Sequence, residues 1–554
     1  MEMKENFADW FEEFKKTDEY QSFLKAPVAY FCAEYALLSP LPTYAGGLGV
    51  LAGDYVREAA RQGFPLLAVG LCYKNAQSIL SEEKIDLKEI LKKVLDKDGK
   101  ELVVSLPLEN RMIYIGAWEW QEGDARVYLL DTDLEENDPI DRDITKNLYD
   151  DNRDLRLKQE IILGIGGFRM LAALGEHASV YHLNESHSAF IALELVRHEM
   201  EHQRIANFLE ALELARKHVI FTNHTILPEG QELFAEEKVS LFLAQYAEEM
   251  GLQGSDISKL GGRTDLPGLL SMTTLAFNLT SRSNAVSGLH AIRAKSLWPE
   301  ENLASITNGI FVPRWDKVGK DSELAFSHLK NKKRFLALVE ERTGERWGEN
   351  DLVLVWARRL VEYKQPSLIL DHAEEILEVA KNSSIPVRLV FSGPTAEDEN
   401  GNPYIAKIKK IVEGKLKGVA VFIPNYSTEI AEILTAGADV WLNTPLSGFE
   451  ACGTSGMKAG LNGALTLTTN DGWVPEVAAE DIGWVMKDPR SADELLAILK
   501  NEILPAYAQT SLWLKKMERA RNLILQNFST ARMLKEYIEK LYIPTLQQKH
   551  AHLK

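Results

Sequence analysis

The chain has 554 residues, 45% hydrophobic and 26% charged, a composition that suits a soluble globular protein too long for one core. Its 81 acidic residues against 63 basic ones leave a formal charge of −18, which argues against nucleic acid or an anionic membrane as partner. Three scattered cysteines, Cys32, Cys72 and Cys452, exclude a disulfide framework and read as buried thiols of a reducing compartment.

The charged N-terminal stretch is helical in pattern and lacks an apolar h-region, so no signal peptide is expected. No run approaches 18 apolar residues, so no transmembrane helix is expected and the default location is cytoplasmic. Val28–Cys32, Leu66–Cys72, Arg126–Leu130, Ser179–Leu183 and His218–Thr222 are predicted strands, with a helix from Val50 to Arg61. Ile85–Trp118 reads as an insertion, a charged helix followed by strands at Glu101–Leu106 and Arg111–Trp118. Gly164, Gly166 and Gly167 fall inside the helix-like run Leu155–Leu174 and are read as helix packing. After a helical connection, Asp321–Thr343, the pattern restarts with strands at Leu352–Ala357, Val387–Ser392, Ala420–Ile423 and Val440–Asn443. The lysines from Lys407 to Lys417 read as a solvated helix face, and Ser511–Leu541 as amphipathic helices. His550 and His552 read as part of a frayed tail.

This alternation predicts an α/β fold of two doubly wound, Rossmann-like lobes facing a central cleft. The expected division is 1–315 for the first lobe, with a β insertion near 85–120, then 316–528 for the second, and a helix and tail at 529–554. A ligand site belongs at the carboxyl ends of the strands.

Three groups of residues fall there. Gly46, Gly47, Leu48 and Gly49 open a helix, where backbone comes close to a ligand and an anion is favoured. Arg358, Arg359 and Lys364 are three cations directly after a predicted strand, suited to phosphate oxygens, although surface salt bridges use the same residues. Asn184 to His187, Asn223 with His224, and Asn308 form polar turns suited to sugar hydroxyls. Lys458 follows the turn Gly453, Thr454, Ser455, Gly456, whose amides would cradle a phosphate. An amine beside such a cradle suits pyridoxal phosphate, while the same spacing alone also fits an ordinary helix start. No metal-ligand, Walker or nucleophile-elbow motif occurs.

Taken together, these segments resemble the glycogen (α-glucan, maltodextrin) phosphorylase family in its short bacterial and archaeal form. The match runs from about Tyr30 to Glu476 and includes Glu34-Tyr35, the glycine loop through Asp54, Asp131 to Asp133, His182 to His187, Asn223-His224-Thr225 before Leu227-Pro228-Glu229, and Asn284 to Ser287 before His290. It ends with Thr307-Asn308-Gly309, Arg358 to Lys364, and the lysine turn. The resemblance implies a GT-B-type glycosyltransferase architecture. It implies pyridoxal 5'-phosphate on Lys458 as a Schiff base, its phosphate held by Gly453, Thr454, Ser455 and Arg358, with Tyr426 and Trp315 against the cofactor. Arg359, Lys364 and the Gly47 backbone would bind inorganic phosphate, and His224, Asn308, His187 and Glu450 would face the glucosyl unit. The implied reaction is phosphorolysis of a terminal α-1,4-linked glucose to glucose 1-phosphate with retained configuration, and a homodimer is the family's habit.

Pro394 stands where many members carry lysine, Gly456 where larger members carry asparagine, and Cys452 where serine is common. The chain lacks the long N-terminal extension that carries phosphorylation and nucleotide control in animal enzymes, so such regulation is not expected. The rival readings are a sugar-nucleotide glucosyltransferase of the same architecture, a glycoside hydrolase using Glu34, Glu185 or Glu450, and a glucan-binding protein without turnover.

Overall fold

The structure, a computed structural model, describes residues 7–38, 41–75, 87–225, 227, 230–319, 323–393 and 402–550. Pro228, Glu229, Asp321, Pro394 and His552, and the start of the insertion at Ile85, lie outside the described residues.

The first sheet is built from β1 (Val28–Phe31), β2 (Leu66–Leu71), β3 (Lys92–Lys93), β4 (Val104–Leu108), β5 (Arg111–Glu122), β6 (Ala125–Asp131), β7 (Val180–Asn184) and β8 (Val219–Asn223), and from two later strands. A small antiparallel sheet of β9 (Leu233–Ala235), β10 (Gly262–Arg263) and β11 (Leu266–Ser271) intervenes before β12 (Arg282–Ala285) and β13 (Leu303–Ser305) rejoin the first sheet. Its order is β13-β12-β8-β7-β1-β2-β6-β5-β3, with β4 also on β5. Pairing is parallel from β13 to β6. The insertion turns antiparallel through β5. The second sheet holds β14 (Leu352–Ala357), β15 (Val387–Ser392), β16 (Ala420–Ile423), β17 (Val440–Asn443), β18 (Leu465–Thr469) and β19 (Gly483–Met486). Its order, β16-β15-β14-β17-β18-β19, is all parallel and doubly wound. Strands such as β1, β7, β8, β14 and β18 are buried along their whole length, as a parallel sheet covered on both faces requires.

The charged helix expected at the head of the insertion is absent from its described part. Only a single turn, Leu87–Glu89, precedes β3, where Lys92 and Lys93 pair with Glu119 and Trp118 of β5. Burial of Leu91 and Val94 against the sheet and a cation over the Trp118 ring (4.4 Å) outweigh local helix propensity. Gly164 packs as expected: a Cβ there would lie 2.6 Å from the Ile191 nitrogen, so the helix run it occupies touches its neighbour backbone to backbone.

The two lobes are joined twice at one place. Ile310 N–H donates to Phe528 O (2.9 Å) and Thr530 N–H donates to Ile310 O (2.9 Å). Beyond this crossing the helices Thr530–Tyr537 and Ile543–His550 lie back on the first lobe, where Tyr542 Oη meets Tyr55 Oη (2.7 Å) and His182 Nδ1 (2.8 Å).

A buried ion pair fixes the helix Leu324–Thr343 to the second sheet. Lys332 Nζ donates to Asp439 Oδ2 (2.6 Å), Asp351 O (2.6 Å) and Tyr507 Oη (3.0 Å), and Asp439 also accepts from Val353 N–H (2.8 Å). Burial opposes the Asp439 charge, but Lys332 and His328 outweigh it and hold its carboxyl below the usual range. Lys332→Met strands that carboxylate, so urea unfolding is expected to show a loss of about 3–5 kcal/mol. Adding Asp439→Asn is expected to restore part of it.

Candidate functional site

The carboxyl ends of both sheets face one another across a hydrophobic floor that includes Tyr44, Val286, Phe311 and Trp315 from one side and Cys452, Met457 and Trp473 from the other. Asn308 Nδ2 donates to Cys452 O (3.1 Å) and Ser287 Oγ donates to Ala451 O (2.7 Å), which sets the lobes in register.

On the first lobe, β1 ends just before Glu34. Its Oε2 accepts from the amides of Ala45 (2.7 Å) and Gly46 (3.0 Å), and its Oε1 accepts from Tyr149 Oη (2.6 Å). The carboxylate expected as a candidate hydrolytic acid is therefore committed to shaping the glycine loop. The amides of Gly47, Leu48 and Gly49, the first turn of the helix Gly47–Arg61, have no intrahelical acceptor, and the space above Gly47 is open.

Glu185, after β7, sits at φ 73° and ψ 164°, a backbone region that costs a side-chain-bearing residue about 1–3 kcal/mol. Its Oε2 accepts from His224 N–H (2.8 Å) and its Oε1 from Ser186 N–H (3.0 Å). His224 Nε2 donates to Asn184 Oδ1 (2.7 Å), and burial lowers the imidazole to about 3, so it is neutral with Nδ1 left as an acceptor. Asn308 Oδ1, Asn223 Nδ2 and His290 Nε2 are buried with no hydrogen-bond partner.

On the second lobe, Arg358 follows β14 and is 6% exposed. Its Nη2 donates to Asn443 Oδ1, at the end of β17, and to Ser455 Oγ (3.1 Å). Its Nε and Nη1 have no acceptor. Lys364 Nζ lies 3.3 Å from Glu450 Oε2, and Arg358 Nη1 lies 3.7 Å from the same atom. Burial lowers the Lys364 amine to about 8 against the pull of Glu450, with Arg358 and Arg359 adding to the fall. Burial would raise the Glu450 carboxyl, yet Lys364 and Arg358 prevail and lower it. A Cβ at Gly453 would stand 2.7 Å from Glu450 Oε1, so glycine lets that turn pass the carboxylate. Arg359 is exposed and reaches the first lobe: a Cβ on Gly46 would lie 3.9 Å from its Nε.

Lys458 belongs to the short helix Ser455–Leu461 and is 7% exposed. Its Nζ lies 4.0 Å from the centre of the Trp315 ring, and it has no acceptor or carboxylate partner among the described residues. Burial lowers its amine to about 8, opposed by the charge of Asp54. Asp54 Oδ2 accepts from Trp315 Nε1 (2.7 Å) and Phe311 N–H (3.3 Å), which fixes the indole under the lysine. Tyr426 is half-buried near Arg358, and burial raises its phenol.

Arg358, Lys364, Glu450, Gly453 and Ser455 thus come together, with Arg359 at the mouth, Lys458, Trp315 and Tyr426 deeper, and the glycine loop, His224 and Asn308 opposite. His187 stands farther back, over a small cavity. Asp54 and Asn443, which hold Trp315 and Arg358, are not singled out by the sequence. Asp54 lay inside the quoted glycine loop and carried a signal, being a charge on the buried face of an apolar helix.

The sequence model of a family described as carbohydrate phosphorylase matches residues 137–250 and 316–484. The chain is 36% identical to the maltodextrin phosphorylase of Thermococcus litoralis, over 94% of this chain and 71% of that one. It is 31% identical to the glycogen phosphorylase of Aquifex aeolicus, over 96% and 88%. It is also 32% identical to an uncharacterised protein of Methanocaldococcus jannaschii, over 93% and 99%. Among the described residues, no helix is long and apolar enough to cross a membrane.

Proposed function

Because the chain belongs to the carbohydrate phosphorylase family, we propose that it transfers the terminal glucosyl unit of an α-1,4-linked glucan to inorganic phosphate. The product is α-glucose 1-phosphate with retained configuration, and Lys458 carries pyridoxal phosphate. The names of the Thermococcus and Aquifex relatives support the substrate pair. The residues fit the cofactor on one observation above all. A buried amine with no hydrogen-bond or carboxylate partner among the described residues, Lys458, and a buried guanidinium with two nitrogens that make no hydrogen bond there, Arg358, flank the same Ser455 turn.

In this reading Gly453, Thr454, Ser455 and Arg358 hold the cofactor phosphate, with Trp315 and Tyr426 beside the ring. When bound, the cofactor supplies a second phosphate that can hold and return a proton beside the substrate phosphate. Two phosphates in contact repel, and Arg358, Arg359 and Lys364 supply the fixed positive charge that opposes this. Lys364, Arg359 and the Gly47, Leu48 and Gly49 amides hold inorganic phosphate under the reacting carbon, where negative charge stabilises an oxocarbenium-like transition state. Glu450 keeps Lys364 charged through the ion pair at its Oε2 and faces the sugar. His224, Asn308 and His187 orient the glucosyl hydroxyls, and the apolar floor limits water, which favours phosphate as acceptor. The proposed division into lobes at 1–315 and 316–528, a homodimer and a cytoplasmic setting complete this reading.

Incubation with maltoheptaose is expected to give glucose 1-phosphate only when inorganic phosphate is present. Free glucose released without phosphate would instead support a hydrolase, and nucleoside diphosphate released from a sugar nucleotide would support a glucosyltransferase.

A further inference from the structure

Glu160, on the helix Arg153–Ile161, and His187, in the turn after β7, face one another across a small pocket of about 10 Å³. Tyr73, Tyr149, Arg156 and Gln159 share its wall with apolar Ala33, Leu71 and Leu163, and the space admits one water. The two side chains are 5% and 9% exposed. Glu160 Oε2 and His187 Nδ1 have no hydrogen-bond partner. These are strong polar atoms that a native interior does not leave unmet. Their polar atoms and a Glu232 oxygen lie within 4.8 Å of one another. Tyr149 (φ 54°) and Glu185 (φ 73°) flank the cavity, so its neighbourhood is also where the backbone is held in uncommon conformations.

We propose that Glu160 is a positioning residue: as a neutral carboxylic acid it donates, through one water in this cavity, to His187 Nδ1, which keeps the imidazole proton on Nε2 as a donor to glucan hydroxyls. The glucan end of this statement rests on the proposed function, while the Glu160–water–His187 link does not. The charged and titratable groups around the pair are Arg153, Arg156, Glu185, Glu232, Tyr73 and Tyr149. Burial pushes the Glu160 carboxyl up to about 8, against the pull of Arg156 and Arg153. Burial, with Arg156 adding to it, lowers His187 to about 3. At neutral pH the acid is therefore protonated and the imidazole neutral, which is the pairing the link needs. A divalent cation is the competing use of the same three side chains. Arg153 (3.3 Å) and Arg156 already neutralise Glu232, and with Glu160 protonated too little negative charge remains to hold a cation.

The test is histidine ¹⁵N NMR of the holoenzyme, with the His187 signal assigned by its loss in His187→Gln. At pH 7 the wild type is expected to show His187 with its proton on Nε2. As pH rises through about 8, Glu160 ionises and becomes an acceptor, and the proton is expected to move to Nδ1. Glu160→Gln, whose amide still donates, is expected to keep the Nε2–H form and lose the pH-driven change. Glu160→Leu is expected to mix the tautomers and raise KM for maltoheptaose about tenfold with kcat nearly unchanged, the signature of a lost ground-state contact. An Nδ1–H form at pH 7, a tautomer indifferent to Glu160→Gln across the titration, or stoichiometric zinc or manganese lost in Glu160→Gln would each overturn the proposal. If the tautomer behaves as stated but no phosphorolysis occurs, the function falls and the Glu160–His187 link stands.

Discussion

Replacing Lys458 with alanine is expected to abolish the absorbance of bound pyridoxal phosphate and to cut glucose 1-phosphate formation by about 10²–10⁴-fold, the scale of a lost proton donor in the transition state. The structure separates this from a folding defect. Among the described residues Lys458 Nζ meets only the face of Trp315, and the helix around it is held by other contacts, such as Asn462 Nδ2 donating to Trp315 O (2.9 Å) and to Lys458 O (2.9 Å). Burial already works against the charge of that amine. Removing an unpaired cation from such a site relieves a desolvation cost, so the cofactor-free Lys458→Ala chain is expected to unfold at a urea concentration equal to or above that of the cofactor-free wild type. Urea titration of the two stripped proteins measures this. A colourless variant that retained full phosphorolysis would remove Lys458 from the mechanism, and one that unfolded far earlier would mean the lysine is structural.

The fold was legible wherever a segment's own period carried the information. β14 to β17 begin and end at the predicted residues, because short apolar runs bounded by polar turns leave a buried parallel strand little freedom. β18 and β19 were passed over. β18 alternates leucine with threonine directly behind the lysine turn, and β19 is four residues long, so each becomes a strand chiefly through its partner. The candidate site was legible in its cations and glycines, which cluster along the chain. It was not legible in the residues that tune them. Asn443 reaches Arg358 from another strand, Asp54 reaches Trp315 from the helix Gly47–Arg61, and Glu160 faces His187 from a separate helix. Such pairings belong to topology and leave no local spacing to read. Glu34 enters the sequence reading only as one candidate of a rival hydrolase, and the structure uses both its oxygens to hold a loop and a tyrosine.

Lys364 is expected to set the alkaline limit of the reaction. Its amine stands at about 8, lowered by burial with Arg358 and Arg359 adding to the fall, and held from falling further by Glu450. The cation is present below that pH and lost above it, so kcat/KM for phosphate, which reports the free enzyme, is expected to fall as pH rises through about 8. Lys458 does not compete for this assignment in the holoenzyme, where its nitrogen is bound to the cofactor. Lys364→Arg keeps the charge on a group that does not titrate in this range, so the falling limb is expected to disappear below pH 10. Glu450→Gln removes a carboxylate that supports the ammonium, so the limb is expected to move toward lower pH. Lys364→Met leaves Glu450 beside the phosphate with Arg358 Nη1, 3.7 Å away, as its remaining ion-pair partner among the described residues. The loss of one charge-stabilising contact in a water-poor site is worth about 10²–10³ in kcat/KM. Initial rates of glucose 1-phosphate formation from pH 6 to 10 in the four proteins decide the matter. A falling limb that survives Lys364→Arg unchanged would place the titrating group elsewhere and leave Lys364 as a structural partner of Glu450.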